Sequence, residues 1–298
     1  GQGFFRGSTV LVSGTAGSGK SSVAAGFAQV ACQRGERALY LAFEEAPKQI
    51  LRNMSSIGLN LEPWLDDGLL RIVATRASLT GFEAHLASML QAIDDFQPKL
   101  VVVDPISAFS DTGEGQEVKT MLTRLVDFCK GRGTTLLLTN LTMAGTATEA
   151  ADMAITPLAD TWLLLTDIEL SGERNRGIYL LKSRGMAHSN QIREFLLTDR
   201  GVELASVYTG PAGVLTGSAR LAQETQDDAV SAARQVEVER RRRGVESKRV
   251  AIEAQILALR VELEADEAAA VEAADQVKLG DALILADRAA MAASRHAR

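Results

Sequence analysis

A cluster of glycines around one lysine lies near the start of the chain, between an apolar run and a helix-forming run. The residues from Gly14 to Ser21 read GTAGSGKS and match the P-loop pattern G-x-x-x-x-G-K-[ST]. Glycines let the backbone turn sharply, so that its N–H groups point at an anion. Lys20 can reach the terminal phosphates of a nucleotide, and the Ser21 hydroxyl can bind Mg²⁺. The spacing therefore predicts a phosphate site with ATP and Mg²⁺ as cofactors.

Acidic residues end two other apolar runs. KLVVVD ends on Asp104, where P-loop ATPases usually carry the acid that holds Mg²⁺. YLAFEE ends on Glu44 and Glu45. A carboxylate there can orient or deprotonate the oxygen that attacks the γ-phosphorus, and this oxygen belongs either to water or to a hydroxyl group.

Two cations follow a late apolar run, in the stretch KSRG at residues 182–185. One interpretation places Lys182 and Arg184 near a phosphate, in their own subunit or in a neighbouring one as an arginine finger. The other interpretation is a pair of solvated surface cations.

Composition limits the class of protein. The net charge of −6 argues against a nucleic-acid binder, and no apolar run approaches the ~20 residues of a membrane span. Cys32 and Cys129 lack metal-site spacing and are expected to be packed thiols, which fits a reducing, cytoplasmic location. The chain starts at Gly1 without Met or a signal-peptide pattern. We therefore expect an internal start within a longer protein.

Residues 8–140 alternate strand and helix patterns, which predicts a parallel sheet with helices on both faces. Ligands of such sheets bind at the carboxyl ends of the strands, where the acids above are expected. The predicted strands are Ser8–Ser13, 37–43, 69–73, 99–104 and 134–140, and the predicted helices are Lys20–Arg34, Pro47–Ile57, Thr80–Phe96 and Glu117–Lys130.

The pattern changes after residue 140. TWLLLTDIEL (161–170), GIYLLKSR (177–184) and IREFLLT (192–198) have strand character, and the polar SGERNR separates the first two. We predict antiparallel strands added to the sheet, with SGERNR as a hairpin-like turn.

From about Ser218 the sequence becomes rich in Ala, Glu and Arg, which favours a helix. Apolar and polar residues at alternating spacings of three and four form a heptad seam that predicts a coiled coil joining subunits. An unbroken helix of this length would reach roughly 100 Å. Gly244 and Gly280 are expected to weaken it or to allow a bend. The seam residues are Val238, Arg242, Val245, Arg249, Ile252, Ile256, Leu259, Leu263, Asp266, Ala270, Ala273 and Val277.

These segments together resemble the RecA-like ATPases, and among them the second ATPase domain of the KaiC clock proteins. The resemblance rests on GFFRGSTVLVSGTAGSGKSS, RALYLAFEE, KLVVVDPISAF, LLLTN, GIYLLKSRGMAHSNQIREFLLTDRGVEL and GVLTGSAR. It covers about residues 1–220 and not the tail from Leu221. We expect an α/β RecA-like domain with a mostly parallel sheet at residues 1–217 and a helical coiled-coil extension at 218–298.

The resemblance implies a hexameric ring with ATP at each subunit interface and autokinase, autophosphatase and ATPase activities. A second ATPase ring would precede Gly1. Glu44, Glu45 and Lys20 are the expected catalytic residues, and Ser21, Asp104 and Glu44 the expected metal site. The expected nucleotide-binding residues are Thr15, Ala16, Gly17, Ser18, Gly19, Lys20, Ser21 and Ser22, with Arg176, Lys182, Ser183 and Arg184 reaching the neighbour's ATP.

The chain departs from the family at the phosphoacceptor sites. KaiC proteins carry adjacent Ser and Thr acceptors shortly before an aspartate. Here Thr156 falls on the first, but Pro157 takes the second and has no hydroxyl group. A further family threonine upstream is also unmatched, because Ala150, Ala151 and Asp152 stand there. The expectation is one acceptor at most, Thr156.

The tail is the second departure from the family. GVLTGSAR resembles the peptide that controls the kinase in the family, but here the heptad segment follows it directly. Helices from two rings can then bundle and join the rings. The resemblance implies a KaiB-like partner, whereas the altered tail argues against a KaiA-like activator. Three alternatives remain open: an ATPase that switches partner binding without autophosphorylation, a RecA-type recombinase, and a structural scaffold.

Overall fold

The computed structural model describes residues 3–109, 115–142, 155–170, 172–189, 191–210 and 213–296. The chain forms two compact units, Gly1–Glu224 and Thr225–Arg298. The first unit carries the sheet and all residues singled out above as candidate site residues. The second begins within the C-terminal helix.

The strands and helices largely follow the predicted order. The strands are β1 Thr9–Gly14, β2 Ala38–Ala42, β3 Leu70–Ala74, β4 Leu100–Asp104, β5 Thr135–Leu141, β6 Thr161–Leu170, β7 Glu173–Ser183, β8 Arg193–Thr198, β9 Gly201–Ser206, β10 Tyr208–Gly210 and β11 Gly213–Leu215. The helices are α1 Lys20–Gln33, α2 Pro47–Ser55, α3 Glu62–Asp66, α4 Phe82–Phe96, α5 Gly115–Gly131 and α6 Gly217–His296, with 3₁₀ turns at Ala77–Leu79 and Ile106–Phe109.

One nine-stranded sheet organises the first unit, in the order β3-β2-β4-β5-β1-β6-β7-β8-β9. The pairings from β3 through β6 are parallel, and those from β6 through β9 are antiparallel. The central strands are buried on both faces, as the continuous apolar runs predicted. The RecA-like α/β fold expected from the sequence is therefore present.

Helices cover both faces of the sheet. Successive side chains of β1 alternate, so that Val10 and Val12 join a core with α1 while Leu11 joins a core with α4 and α5. The α1 side contributes buried residues such as Ala24 and Ala28, and the opposite side residues such as Leu122. This two-sided packing holds the carboxyl ends of the strands in fixed register.

The added strands differ from the sequence prediction in two respects. Strand β6 pairs antiparallel with β7 but parallel with β1, so that it extends the parallel part of the sheet. The turn is also shorter than SGERNR, because Glu173 already pairs with Leu170 and only residues 171–172 connect the strands. Ladder hydrogen bonds therefore recruit the polar residues Glu173–Arg176 into β7.

The C-terminal helix is longer than the predicted extension at its start and continues through both glycines. It begins at Gly217 and ends at His296, and Gly244 and Gly280 lie inside it. The residues before it form a small ribbon, in which Gly213–Leu215 pairs antiparallel with Tyr208–Gly210. A long helix tolerates single glycines at a cost of about 1 kcal/mol each.

The seam residues of α6 are exposed in the single chain. Ile252, Ile256, Leu259 and Leu263 have between 47% and 57% of their surface accessible. Charged pairs four residues apart, such as Glu237 with Arg241, cover other parts of the helix surface. The coiled coil stays a prediction, because it requires a second helix.

Candidate active site

The P-loop connects β1 to α1 and has the backbone geometry that its glycines predict. Gly17 and Gly19 have φ values of +75° and +99°, which favour glycine. A Cβ atom on Gly19 would also lie 2.6 Å from the Phe195 ring, so this position has no room for a side chain. No described side chain caps the N-terminus of α1, which begins at Lys20. Its first N–H groups therefore remain available to an anion.

Lys20 folds back over the loop. Its Nζ donates hydrogen bonds to the backbone oxygens of Gly14 at 3.0 Å and Thr15 at 2.7 Å. Burial lowers the pKa of Lys20, while the negative charges of Asp104 and Glu44 oppose this shift. The ammonium group therefore lies where it can exchange loop carbonyls for phosphate oxygens.

The predicted acids lie around the same cavity as the lysine. This cavity has a volume of about 230 Å³. Glu44 and Glu45 approach it from the end of β2, and Asp104 from the end of β4. Its lining residues are Ala16, Gly17, Lys20, Ser21, Ala42, Glu44, Glu45, Ile50, Asp104, Pro105 and Leu141.

Asp104 is anchored by two residues that the sequence analysis missed. Tyr40 on β2 donates a hydrogen bond to Asp104 Oδ2, and Thr139 on β5 donates one to Oδ1. Both residues are at most 1% exposed. The one sequence signal was a tyrosine within the otherwise aliphatic run RALYLAF, because a buried hydroxyl group needs a partner.

The donor atoms around this cavity suit Mg²⁺. Ser21, Asp104, Glu44 and Glu45 offer oxygen atoms, which hard divalent cations prefer. Within the described residues no three His, Cys, Asp or Glu side chains gather closely enough to cage a metal. Mg²⁺ typically binds through one or two carboxylates together with substrate phosphates.

The β6–β7 hairpin contacts the other side of the P-loop. Thr15 Oγ1 donates to Asp167 Oδ2 at 3.2 Å, and Arg174 Nη2 donates to the same oxygen at 2.6 Å. Arg176 Nε donates to the Gly17 oxygen at 3.4 Å. Arg176 thus lies beside the P-loop of its own chain. Its expected contact with a neighbour's nucleotide stays a prediction, because a single chain has no subunit interface.

Lys182, Ser183 and Arg184 lie away from the P-loop cavity. Lys182 Nζ donates to the Thr156 oxygen at 2.8 Å, and Arg184 Nη2 donates to the Pro157 oxygen at 3.2 Å. Ser183 Oγ is buried and has no hydrogen-bond partner among the described residues. The structure therefore places Lys182 and Arg184 against the turn that contains the predicted phosphoacceptor rather than beside Lys20.

Thr156 lies in the turn before β6 and is half-buried. Among the residues singled out near it, Ala150, Ala151 and Asp152 fall outside the described part of the chain. Asp160 follows the turn and pairs with Lys130 at 3.0 Å and Arg184 at 3.6 Å. The turn is therefore held at its far end by charged groups.

A second cavity lies beside Ser183 and His188 and has a volume of about 610 Å³. Its lining is mostly apolar or uncharged, with residues such as Leu163, Ile178 and Met186. It lacks the glycine loop, the lysine and the acids. It is therefore not the phosphate site.

The cysteines are packed thiols, as expected. Cys32 and Cys129 are free and buried. Burial raises the pKa of Cys32 to about 11 and that of Cys129 to about 12, which keeps both thiols protonated at neutral pH. None of the helices in the described part of the chain combines the length and apolar character of a membrane span.

Comparison with known proteins agrees with this geometry. The family model described as "ATPase: KaiC" matches residues 1–207. The chain is 46% identical to the circadian clock protein KaiC2 of Synechocystis sp. (strain ATCC 27184 / PCC 6803 / Kazusa) over 265 residues, which cover 88% of this chain and 47% of KaiC2. It is 34% identical to the circadian clock oscillator protein KaiC of Thermosynechococcus vestitus (strain NIES-2133 / IAM M-273 / BP-1) over 73% of this chain and 42% of that protein.

The two matches differ in how far they reach. The KaiC2 match is longer than the part of the chain before Gly217, so it extends into α6. This corrects the expectation that the resemblance ends near Leu221. The chain spans about half the length of the relatives it matches. Its P-loop, its strand order and these similarities lead to one conclusion: the chain belongs to the KaiC ATPase family.

Proposed function

We propose that this chain is a Mg²⁺-dependent ATPase of a KaiC-type clock or timer system. One observation carries the proposal: the lysine, the hydroxyl group and the three acids predicted from separate segments line a single cavity at the carboxyl ends of β2 and β4. A nucleotide phosphate site needs a cation, a metal and an acid within reach of one another. No other described cavity combines them.

The side chains have distinct roles in this proposal. The loop N–H groups and Lys20 bind the phosphates, while Ser21, Asp104 and Glu44 bind Mg²⁺. The metal neutralises charge that develops on the phosphate oxygens. Glu45 accepts a hydrogen bond from Asn53 Nδ2 at 3.2 Å, which fixes the carboxylate so that it can orient the attacking oxygen.

Steady-state ADP release tests these roles. Lys20→Ala should lower turnover by roughly 10²-fold or more, because the variant loses the cation that stabilises the transferring phosphoryl group. Glu45→Gln should lower turnover while leaving nucleotide affinity nearly unchanged. Equal turnover of wild type and both variants would exclude this cavity as the site of hydrolysis.

We further propose that Lys182 and Arg184 act on the nucleotide of a neighbouring subunit in a hexameric ring. In support, neither cation lines the P-loop cavity of its own chain. The test is a mixture of Lys20→Ala and Arg184→Ala subunits. Each variant alone should be nearly inactive, whereas mixed rings should regain activity at interfaces that combine an intact P-loop with an intact Arg184. A mixture as inactive as its parents would contradict action between subunits.

Autophosphorylation, and its reversal by autophosphatase action, is a second candidate activity. The contact between Lys182 and the Thr156 backbone favours autophosphorylation. If Lys182 contacts the ATP of a neighbouring subunit, Thr156 lies close to that ATP as well. Intact mass after incubation with Mg²⁺ and ATP should increase by one phosphate in wild type and not in Thr156→Ala. No added mass alongside ADP release would instead support an ATPase that switches partner binding by nucleotide state alone.

The long helix is proposed to join two rings through a coiled coil, with a KaiB-like protein as ring partner and a KaiA-like activator disfavoured by the altered tail. The exposed apolar seam of α6 supports the pairing. A chain that ends at Ser218 should form single hexamers, with half as many subunits as the assembly of the untruncated chain, as measured by light scattering. An unchanged number of subunits after truncation would rule out ring pairing by α6.

A further inference from the structure

The seam of α6 carries an apolar block with opposite charges at its two ends. The block is between 47% and 57% exposed in the single chain and consists of Ile252, Ile256, Leu259 and Leu263. The next seam residue toward the start of the helix is Arg249, and the next one toward its end is Asp266. The seam therefore has a direction, because it runs from a cation through an apolar block to an anion.

The helix on either side of the apolar block is charged in the same sense. Residues 240–250 contain six basic side chains and one acidic side chain, whereas residues 262–275 contain six acidic side chains and no basic one. Arg241 and Arg243 form ion pairs with glutamates of the same helix. Asp266 forms no ion pair with any described residue. A surface with the reverse order of charges would complement both segments.

A second copy of α6 provides such a surface only when it runs in the opposite direction. In a parallel pair in register each seam residue faces its own copy, so that like charges meet at Arg249 and again at Asp266. Like charges that face one another oppose association. In a two-fold antiparallel pair the contacts are reciprocal, and the two ends of the apolar block are exchanged. Arg249 of each copy then faces Asp266 of the other.

The apolar block also determines the register of the antiparallel pair. The seam residues are spaced symmetrically about the midpoint between Leu257 and Ala258. With the midpoints of two copies level, every seam residue faces another seam residue, and no residue of the apolar block faces a charge. The paired segment, residues 238–277, is about 60 Å long. The facing pairs are Ile256 with Leu259, Ile252 with Leu263, Arg249 with Asp266, Val245 with Ala270, Arg242 with Ala273 and Val238 with Val277.

We propose that α6 is a docking surface for a second copy of this chain, which binds in antiparallel orientation with Arg249 against Asp266 at both ends of the apolar block. The proposal rests on the proposed pairing of rings by α6 and assigns the orientation and register of that pairing. Arg249 also forms ion pairs with Glu246 and Glu253 of its own helix. Its guanidinium group carries five N–H donors, which is enough for a further carboxylate.

Cysteine cross-linking measures the orientation in the full chain. The two natural cysteines are buried, so that new cysteines on α6 report on the seam. Val245→Cys and Ala270→Cys chains are produced together and oxidised, and peptide mass spectrometry identifies the joined segments. A disulfide should join one variant to the other. Each variant alone should give no cross-link, because its two copies lie about 38 Å apart along the helix axis in the antiparallel pair. Cross-links within either variant alone, or none in the mixture, would overturn the proposal.

Charge reversal tests the contact between Arg249 and Asp266. Asp266→Arg places a second cation against Arg249 and should raise the concentration at which the assembly dissociates by about tenfold or more, as measured by light scattering during dilution. Adding Arg249→Glu to Asp266→Arg restores opposite charges and should recover most of the loss. Glu264→Arg makes the same change of charge off the seam and should leave the assembly unchanged. A loss that Arg249→Glu did not recover, or an equal loss in Glu264→Arg, would contradict the contact.

Truncation at Ser218 separates a failure of this arrangement from a failure of ring pairing. If truncation halves the number of subunits but cross-links form within single cysteine variants, the antiparallel orientation is wrong and ring pairing stands. If truncation leaves the number of subunits unchanged and no cysteine variant cross-links, the proposed pairing of rings by α6 fails as well.

Discussion

Thr15 in the P-loop donates a hydrogen bond to Asp167 on β6, across 152 residues of sequence. The same Asp167 oxygen accepts a hydrogen bond from Arg174 on β7. The pKa of Asp167 is lowered, chiefly by the Arg174 hydrogen bond, with the Thr15 hydroxyl adding to it. The ionised Asp167 carboxylate therefore links the P-loop to the β6–β7 hairpin.

Asp167→Asn should weaken nucleotide binding by roughly 3–10-fold, on the order of 1 kcal/mol for one lost charge-assisted interaction. Asparagine keeps the size of the side chain but no longer holds Arg174 by charge. The measurement is the dissociation constant of a fluorescent ATP analogue. Glu169→Gln is the matched control, because it removes a carboxylate from the exposed end of the same strand. If Asp167→Asn and Glu169→Gln bound the ATP analogue with equal affinity, the hydrogen bonds of Asp167 would not order the P-loop.

Protonation of Asp160 should account for part of the stability that the fold loses at low pH. Burial of this carboxyl opposes the lowering of its pKa, but hydrogen bonds from the Thr9 N–H and Lys130 lower it overall. Because its folded pKa is lowered, the ionised Asp160 carboxylate stabilises the fold at pH values above its unfolded pKa of about 3.9. This stabilisation is lost as the pH falls through the folded pKa. Asp160→Asn should cost roughly 1–3 kcal/mol at pH 7, and this cost should shrink as the pH falls through the folded pKa of Asp160.

Urea unfolding between pH 2 and pH 7 measures this difference. Asp127→Asn, on the exposed side of α5, is the control and should follow wild type across the range. A deficit of Asp160→Asn that stayed constant with pH would mean that its charge is not the source of the stabilisation.

Glu194 on β8 connects the start of α6 to the sheet through hydrogen bonds. It is 1% exposed and accepts hydrogen bonds from the Gly217 N–H at 2.9 Å and from Arg220 Nε at 3.3 Å. Glu194→Gln should destabilise the first unit by about 2–4 kcal/mol, because Arg220 loses its buried partner. Glu224→Gln removes the exposed partner of Arg220 and should cost less than about 1 kcal/mol.

Tryptophan fluorescence during unfolding reports on this unit, because both tryptophans, Trp64 and Trp162, lie within it. Similar losses for Glu194→Gln and Glu224→Gln would show that the buried carboxylate has no special role at the start of the helix.

Assembly through α6 should depend on which face of the helix is changed. Ile256→Asp combined with Leu259→Asp places charge in the seam and should halve the solution mass. Leu257→Asp alters an equally apolar residue that is 65% exposed but lies off the seam. It should leave the mass unchanged. If Leu257→Asp dissociated the assembly and the seam variant did not, the heptad register would be wrong.

The sequence predicted the parts of the site that local patterns determine. Lys20 and Ser21 belong to one motif, and Asp104 and Glu44 end apolar runs, so their places followed from strand and helix patterns alone. Tyr40, Thr139 and Asp167 were missed because the order of strands brings them to the site. β2 and β5 flank β4, and β6 lies beside β1. No local pattern encodes which strands are neighbours. The short β6–β7 turn was missed for a similar reason, because pairing extended β7 through polar residues.

ADP production from ATP and Mg²⁺ by the full-length chain tests the proposed ATPase activity most directly. Purified wild type and Lys20→Ala are incubated side by side, and ADP is quantified by chromatography over time. We expect steady ADP release from wild type that disappears with EDTA and falls by roughly 10²-fold or more in Lys20→Ala. ADP release at the same rate from both proteins, or none from either, would contradict the assignment of this cavity as an ATPase site.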